Sequence, residues 1–68
     1  MHDICGIDQK SIDDGKVWVR IRGINPTIQK PVTEISYEET MSAVVFRYKD
    51  EHCKRMVSII NLDIMIQD

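Results

Sequence analysis

The apolar and polar positions of this 68-residue chain alternate with a period of two in two stretches, residues 17–22 and 53–66, which is the pattern of half-buried strands. Val17, Val19 and Ile21 alternate with Trp18, Arg20 and Arg22, between an Asp13-Asp14-Gly15 turn signal and Gly23. The densest apolar mass runs from Ser42 to Ile66 and holds two hydrophobic runs, VVFRY and RMVSII. The polar Lys49-Asp50-Glu51-His52 between them has a length suited to a hairpin loop. From Cys53 onward the alternation places Cys53, Arg55, Val57 and Ile59 on one face, then Ile60, Leu62, Ile64 and Ile66. Parity therefore flips between Ile59 and Ile60, and a bulge or sharp bend is expected there.

The N-terminal third is less regular. Residues 3–12 show no clean period and admit a short strand around Ile4–Ile7. Residues 23–31, GINPTIQKP, combine one glycine with two prolines and read as a loop. The stretch after Pro31 has two readings. As strands, VTEISY and SAVVFRY are joined by Glu38-Glu39-Thr40. As a helix, Tyr37, Met41, Val44, Val45 and Tyr48 share a face, with Ser36 as N-cap and Glu39 completing a capping box. The β-branched and aromatic content of residues 43–48 favours strand. The fold expected is mainly β: a single small domain built on a strongly curved antiparallel sheet or small barrel of five to six strands. The alternative is α+β with one helix near 36–48.

Composition narrows the functions available. The 43% apolar content offsets chain entropy well enough to argue against disorder. No run approaches the roughly 20 apolar residues of a membrane span, and the N-terminus lacks the pattern of a secretion signal, so a cytoplasmic protein with no membrane partner is expected. Net charge is −2, unevenly spread: Lys16, Arg20, Arg22 and Lys30 form an acid-free basic stretch between two acidic ones.

Catalysis finds little support. There is no phosphate loop or nucleophile elbow, and Asp13-Asp14 and Glu38-Glu39 are paired acids of the kind that solvate turns. Two His and two Cys match a zinc ligand count, but His52-Cys53 adjacency does not match the spacing of such sites. A Cys5–Cys53 disulfide is disfavoured in a reducing compartment, and Cys53 reads as a small buried hydrophobe. No cofactor and no enzyme activity are expected.

Trp18, Arg20 and Arg22 are the most informative residues. Alternation puts them opposite the Val17 face, and Trp and Arg are enriched at interface hot spots. A plainer role, with Trp18 completing a core under the 23–31 loop, competes with that. The first functional expectation is a non-catalytic protein-binding module, an adaptor or inhibitor of a larger protein of unknown identity, in the size range of phage- or plasmid-type inhibitors. Its contact residues would be Trp18, Arg20, Arg22 and Lys30. The same residues could stack and neutralise single-stranded nucleic acid, a reading that ranks second because the chain is net acidic. Finally, the apolar C-terminal strand is a hazard if left on an edge. It is expected either inside the sheet or covered by a second copy, with Leu62, Ile64 and Ile66 at a homodimer interface.

Overall fold

The computed structural model describes residues 7–67. They form a short helix α1 (Gln9–Asp13) followed by five strands: β1 (Val17–Ile21), β2 (Ile28–Glu38), β3 (Ala43–Tyr48), β4 (Arg55–Ser58) and β5 (Leu62–Ile66). All neighbours are antiparallel, in the order β4-β3-β2-β1-β5, and the sheet is not closed. The mainly β expectation holds with five strands. The strand around Ile4–Ile7 falls largely outside the described residues.

The alternative of a helix near 36–48 is not what the chain forms, and the strand favoured for residues 43–48 is β3. Only Glu39–Met41 turn helically, as a 3-10 turn between β2 and β3. Its cap is Glu38, whose carboxylate accepts from the Thr40 amide at 3.1 Å, and Ser42 leaves the turn with φ of 48°. β-branched Val44 and Val45 lose rotamer freedom in a helix, whereas in β3 they join Phe46 and Tyr48 on a pleated surface. Conversely, α1 lies where no period was legible. Asp8 caps it through its carboxylate at 2.8 Å from the Ser11 amide, and that bond holds the carboxyl below its ordinary value. Gly15, at φ of 73°, turns the chain out of α1 into β1.

The strand signals of residues 17–21 translate directly into burial: Val17, Val19 and Ile21 are buried, while Trp18 and Arg20 are half-exposed. The 23–31 loop is shorter than expected, because β2 already begins at Ile28. Pro31 is tolerated inside β2 because its ring nitrogen faces away from β1. Its register partner is Trp18, and the pairs that exchange bonds with β1 are the ones on either side.

β2 serves two neighbours in succession, β1 with its first half and β3 with its second. Between Val32 and Glu34 the register shifts by a bulge. Before it Ile28 and Val32 face the core; after it Ile35 and Tyr37 do. One extra residue thus rotates the second half of the strand without losing its apolar face. The second parity flip lies where it was expected, and Ile59–Asn61 form a 3-10 turn that separates β4 from β5.

The core is Ile12 from α1 with Val17, Val19, Ile21, Val32, Val44, Phe46, Tyr48 and Leu62. Phe46 and Tyr48 meet edge to face at 5.1 Å. Tyr48 is fully buried, and its hydroxyl donates to the Val19 carbonyl at 3.0 Å. Two expectations of burial fail. Cys53 is an exposed free thiol in the β3–β4 loop, two residues before β4 begins at Arg55. Ile60 is 73% exposed, because the 3-10 turn lifts it off the sheet before β5 begins.

Candidate functional site

The register across three strands builds a surface on the side of the sheet opposite the core. Trp18 lies between Pro31 of β2 and Met65 of β5. One row further, Arg20 lies between Gln29 and Asp63. Directly opposed residues of antiparallel strands share a face, so an apolar row of Pro31, Trp18 and Met65 runs beside a polar row of Gln29, Arg20 and Asp63.

Within this surface the indole is fixed by its Nε1–H, which donates to the Gly15 carbonyl at 3.1 Å. Trp18 therefore leans over the turn that connects α1 to β1. Arg22 follows the end of β1, and its amide donates to the Asn61 carbonyl at 2.8 Å, extending the β1–β5 ladder. Both guanidiniums converge on one carboxylate. Arg20 Nε and Nη2 donate to Asp63 Oδ2 at 3.1 and 2.5 Å; Arg22 donates Nε to the same oxygen at 3.1 Å and Nη2 to Oδ1. The hydrogen bonds from Arg22, then those from Arg20, hold the Asp63 carboxyl far below the ordinary carboxylate range. Arg22 also donates Nη1 to the Ile60 carbonyl at 3.3 Å.

The arrangement carries an unbalanced charge: two arginines share one acid. Their side chains remain 44% and 58% exposed, against 20% for Asp63. The acid orients both guanidiniums; Arg20 bonds it through Nε and Nη2, and Arg22 donates from all three nitrogens while its side chain stays exposed. A planar fork held in this way has less freedom to lose on meeting a carboxylate or an aromatic face.

Lys30 is not part of this surface. It pairs with Val19 and so lies on the core side of β2. Its ammonium lies 4.7 Å from the centre of the Tyr48 ring and pairs with Asp50 at 3.2 Å and Glu51 at 3.7 Å. Arg55 approaches the same ring at 5.6 Å and is held by Glu51 through Nε at 2.9 Å and Nη2 at 2.8 Å. The basic stretch of the sequence is thus divided between two sides of the sheet. A second group of charges joins β2, β3 and the loop before β4, where Glu34 pairs with Arg47 at 2.7 Å and Lys54 at 3.6 Å.

Asp63 and Met65 complete the surface and were not among the sequence candidates. Their signal was available in part, because they alternate with Leu62, Ile64 and Ile66. What the sequence does not carry is that β5 returns to pair with β1 rather than with β4, its neighbour along the chain. Leu62, Ile64 and Ile66 themselves face the core side opposite Ile21, Val19 and Val17. Leu62 is buried, Ile64 half-buried and Ile66 52% exposed.

Beside this surface an open depression is lined by Lys30, Pro31, Lys49 and Asp50. Among the described residues no three His, Cys, Asp or Glu side chains converge as a metal site, and no helix is long and apolar enough to cross a membrane. His52 and Cys53 are both exposed, and His2 and Cys5 lie outside the described residues. Comparison with protein-family models, with curated proteins and with solved structures returns no match.

Proposed function

We propose that this protein is a non-catalytic protein-binding module that acts by docking on a larger protein through the outer face of β1 and β5. The observation that carries the reading is the juxtaposition of the Trp18–Met65 row with two guanidiniums held by one carboxylate. An aromatic and a methionine supply area that can be desolvated, and the flanking arginines supply oriented donors; this is the composition of an interface centre. The partner surface it fits carries carboxylates around an apolar pocket. Cytoplasmic action as an adaptor or inhibitor remains the expectation for such a chain.

The division of the basic residues weakens the nucleic-acid alternative. Lys30 is directed to Tyr48 and its acids, and one of the two outer arginine charges is balanced by Asp63. The test is affinity capture from a cytoplasmic extract, followed by purification of the captured protein and measurement of its Kd for wild type, Trp18→Ala and Arg22→Ala. Each substitution is expected to weaken binding by at least roughly tenfold, the cost of truncating a hot-spot residue. Undiminished affinity in both variants overturns the reading. A steep salt-dependent affinity for single-stranded oligonucleotides that disappears in Arg20→Ala/Arg22→Ala would replace it with the nucleic-acid one.

A further inference from the structure

β5 lies at one end of the strand order, so one of its two backbone edges has no strand beside it among the described residues. Which groups it presents follows from the ladder with β1. The Arg22 amide donates to Asn61 and the Gln67 amide to Lys16, and both pairs belong to the register that matches Val17 with Ile66. Odd-numbered residues of β5 therefore exchange bonds with β1, and the N–H and C=O groups of Leu62, Ile64 and Ile66 point away from it. None of the backbone hydrogen bonds among turns and loops of the described residues reaches these three.

We propose that this edge is a homodimer interface in which two copies of β5 pair antiparallel about a twofold axis at Ile64. Three features of the strand support a second copy as the occupant. The outward groups are self-complementary in one register, with Ile64 opposite its own copy and Leu62 opposite the copy's Ile66. Side chains of all three face the core side, so pairing joins core face to core face and gives Ile66, 52% exposed, the copy's Leu62 as a neighbour. On the outer face the same register sets Asp63 against the copy's Met65, so no like charges oppose each other.

The other free edge fits β5 less well. In β4 the Ile59 amide donates to the Ser42 carbonyl, which fixes Met56 and Ser58 as the outward-directed residues. Their side chains lie on the outer face, opposite to Val57, which packs on the core. An antiparallel β4–β5 junction would then join the outer face of one copy to the core face of the next. The β5–β5 junction continues both faces. It also sets the two Trp18 surfaces on one side of a ten-stranded sheet, with the two β1 strands three strand spacings apart, roughly 14 Å. Proteins with paired outer faces of this kind bind a twofold partner with avidity.

A five-residue edge is a small interface, so association in the weak range is expected. The experiment is sedimentation equilibrium of the whole chain up to hundreds of micromolar, with reductant present to keep exposed Cys53 from cross-linking. Amide hydrogen exchange is followed in parallel at low and high concentration. Wild type is expected to dimerise, with protection of the Leu62, Ile64 and Ile66 amides rising with concentration. Ile64→Pro removes the central outward N–H without touching the β1 ladder and should abolish association. Ile66→Lys, at an exposed strand end that tolerates charge in the monomer, should raise the dimer Kd roughly tenfold or more and carries the test if Ile64→Pro does not fold. Met56→Pro, on the β4 edge, should leave association unchanged. A monomeric wild type overturns the proposal. So does protection of the three amides that is independent of concentration, which would assign the edge to the chain's own N-terminal segment. Dissociation by Met56→Pro but not by Ile66→Lys overturns it in favour of the β4 edge.

Discussion

The Tyr48 cluster and the Trp18 surface are built from nearly the same side chains and differ in what those side chains are doing. In the first, a fully buried ring has Lys30 and Arg55 near its face, and two acids, Asp50 and Glu51, balance the two cations. In the second, a half-exposed ring stands beside Arg20 and Arg22, and one acid serves both. The first cluster is closed: each charge has its counterpart, and the hydroxyl of Tyr48 has Val19. The second leaves an excess of guanidinium directed outward. Charge count and ring burial, rather than residue type, separate a cluster that holds the fold together from one suited to binding.

The contrast is sharpest in the two aromatic residues. Tyr48→Ala is expected to cost about 3–5 kcal/mol, as large-to-small changes of buried aromatics do. For a chain of this size total stability is itself only roughly 3–10 kcal/mol, so urea titration should show a protein largely unfolded. Trp18→Ala should cost about 1–2 kcal/mol, from partial burial and one hydrogen bond, and its main effect should be on partner binding. Equal destabilisation by the two would mean that Trp18 belongs to the core.

Tyr48→Phe removes only the hydroxyl that reaches Val19 and is expected to cost about 1 kcal/mol. A thermal melt checks this. No loss of stability would mean that the hydroxyl bond is offset by the burial that already pushes the Tyr48 ionisation up.

Acid titration separates the clusters most finely. Asp63 and Glu51 both have lowered pKa values, each through hydrogen bonds from arginine, and Asp63 is displaced much further. In each case the unfolded chain takes up the proton first. The stability these groups contribute is complete above the unfolded carboxylate range of about 4 and is lost as pH falls through their folded values. Wild type should therefore lose stability below about pH 4, and Asp63→Asn should flatten that acid limb more than Glu51→Gln does. Chemical denaturation at a series of pH values decides it. A larger effect from Glu51 would reverse which cluster carries the tighter ion pairing.

Most of the sheet was legible because burial on one face enforces a period of two, and that period is written in β1, β3 and β5. The flip between Ile59 and Ile60 was legible for the same reason, since a regular strand cannot satisfy both parities. The flip inside β2 was not, because Thr33 and Glu34 interrupt the pattern where Pro31 had already suggested a loop. Helix α1 was invisible for a different reason: five residues with one buried apolar side chain, Ile12, offer too little periodicity to detect. At the candidate site, Trp18, Arg20 and Arg22 could be read from one strand alone. Asp63, Met65 and the exclusion of Lys30 depend on strand order and on β2's register, which are tertiary facts. The helix alternative near 36–48 arose from spacing that fitted two periods at once, and β-branching had already favoured the strand that forms.

The bulge between Val32 and Glu34 also determines how this chain can change in length. A deletion of one residue at Thr33 would take out the extra residue of the bulge and leave Val32, Ile35 and Tyr37 in uniform alternation on the core face, with Glu34 and Ser36 outside. An insertion in the 23–27 turn shifts no register and should be accommodated at the surface. Chains that share this sheet but vary in length should therefore differ in that turn, in the β3–β4 loop, or by the one bulged residue between Val32 and Glu34.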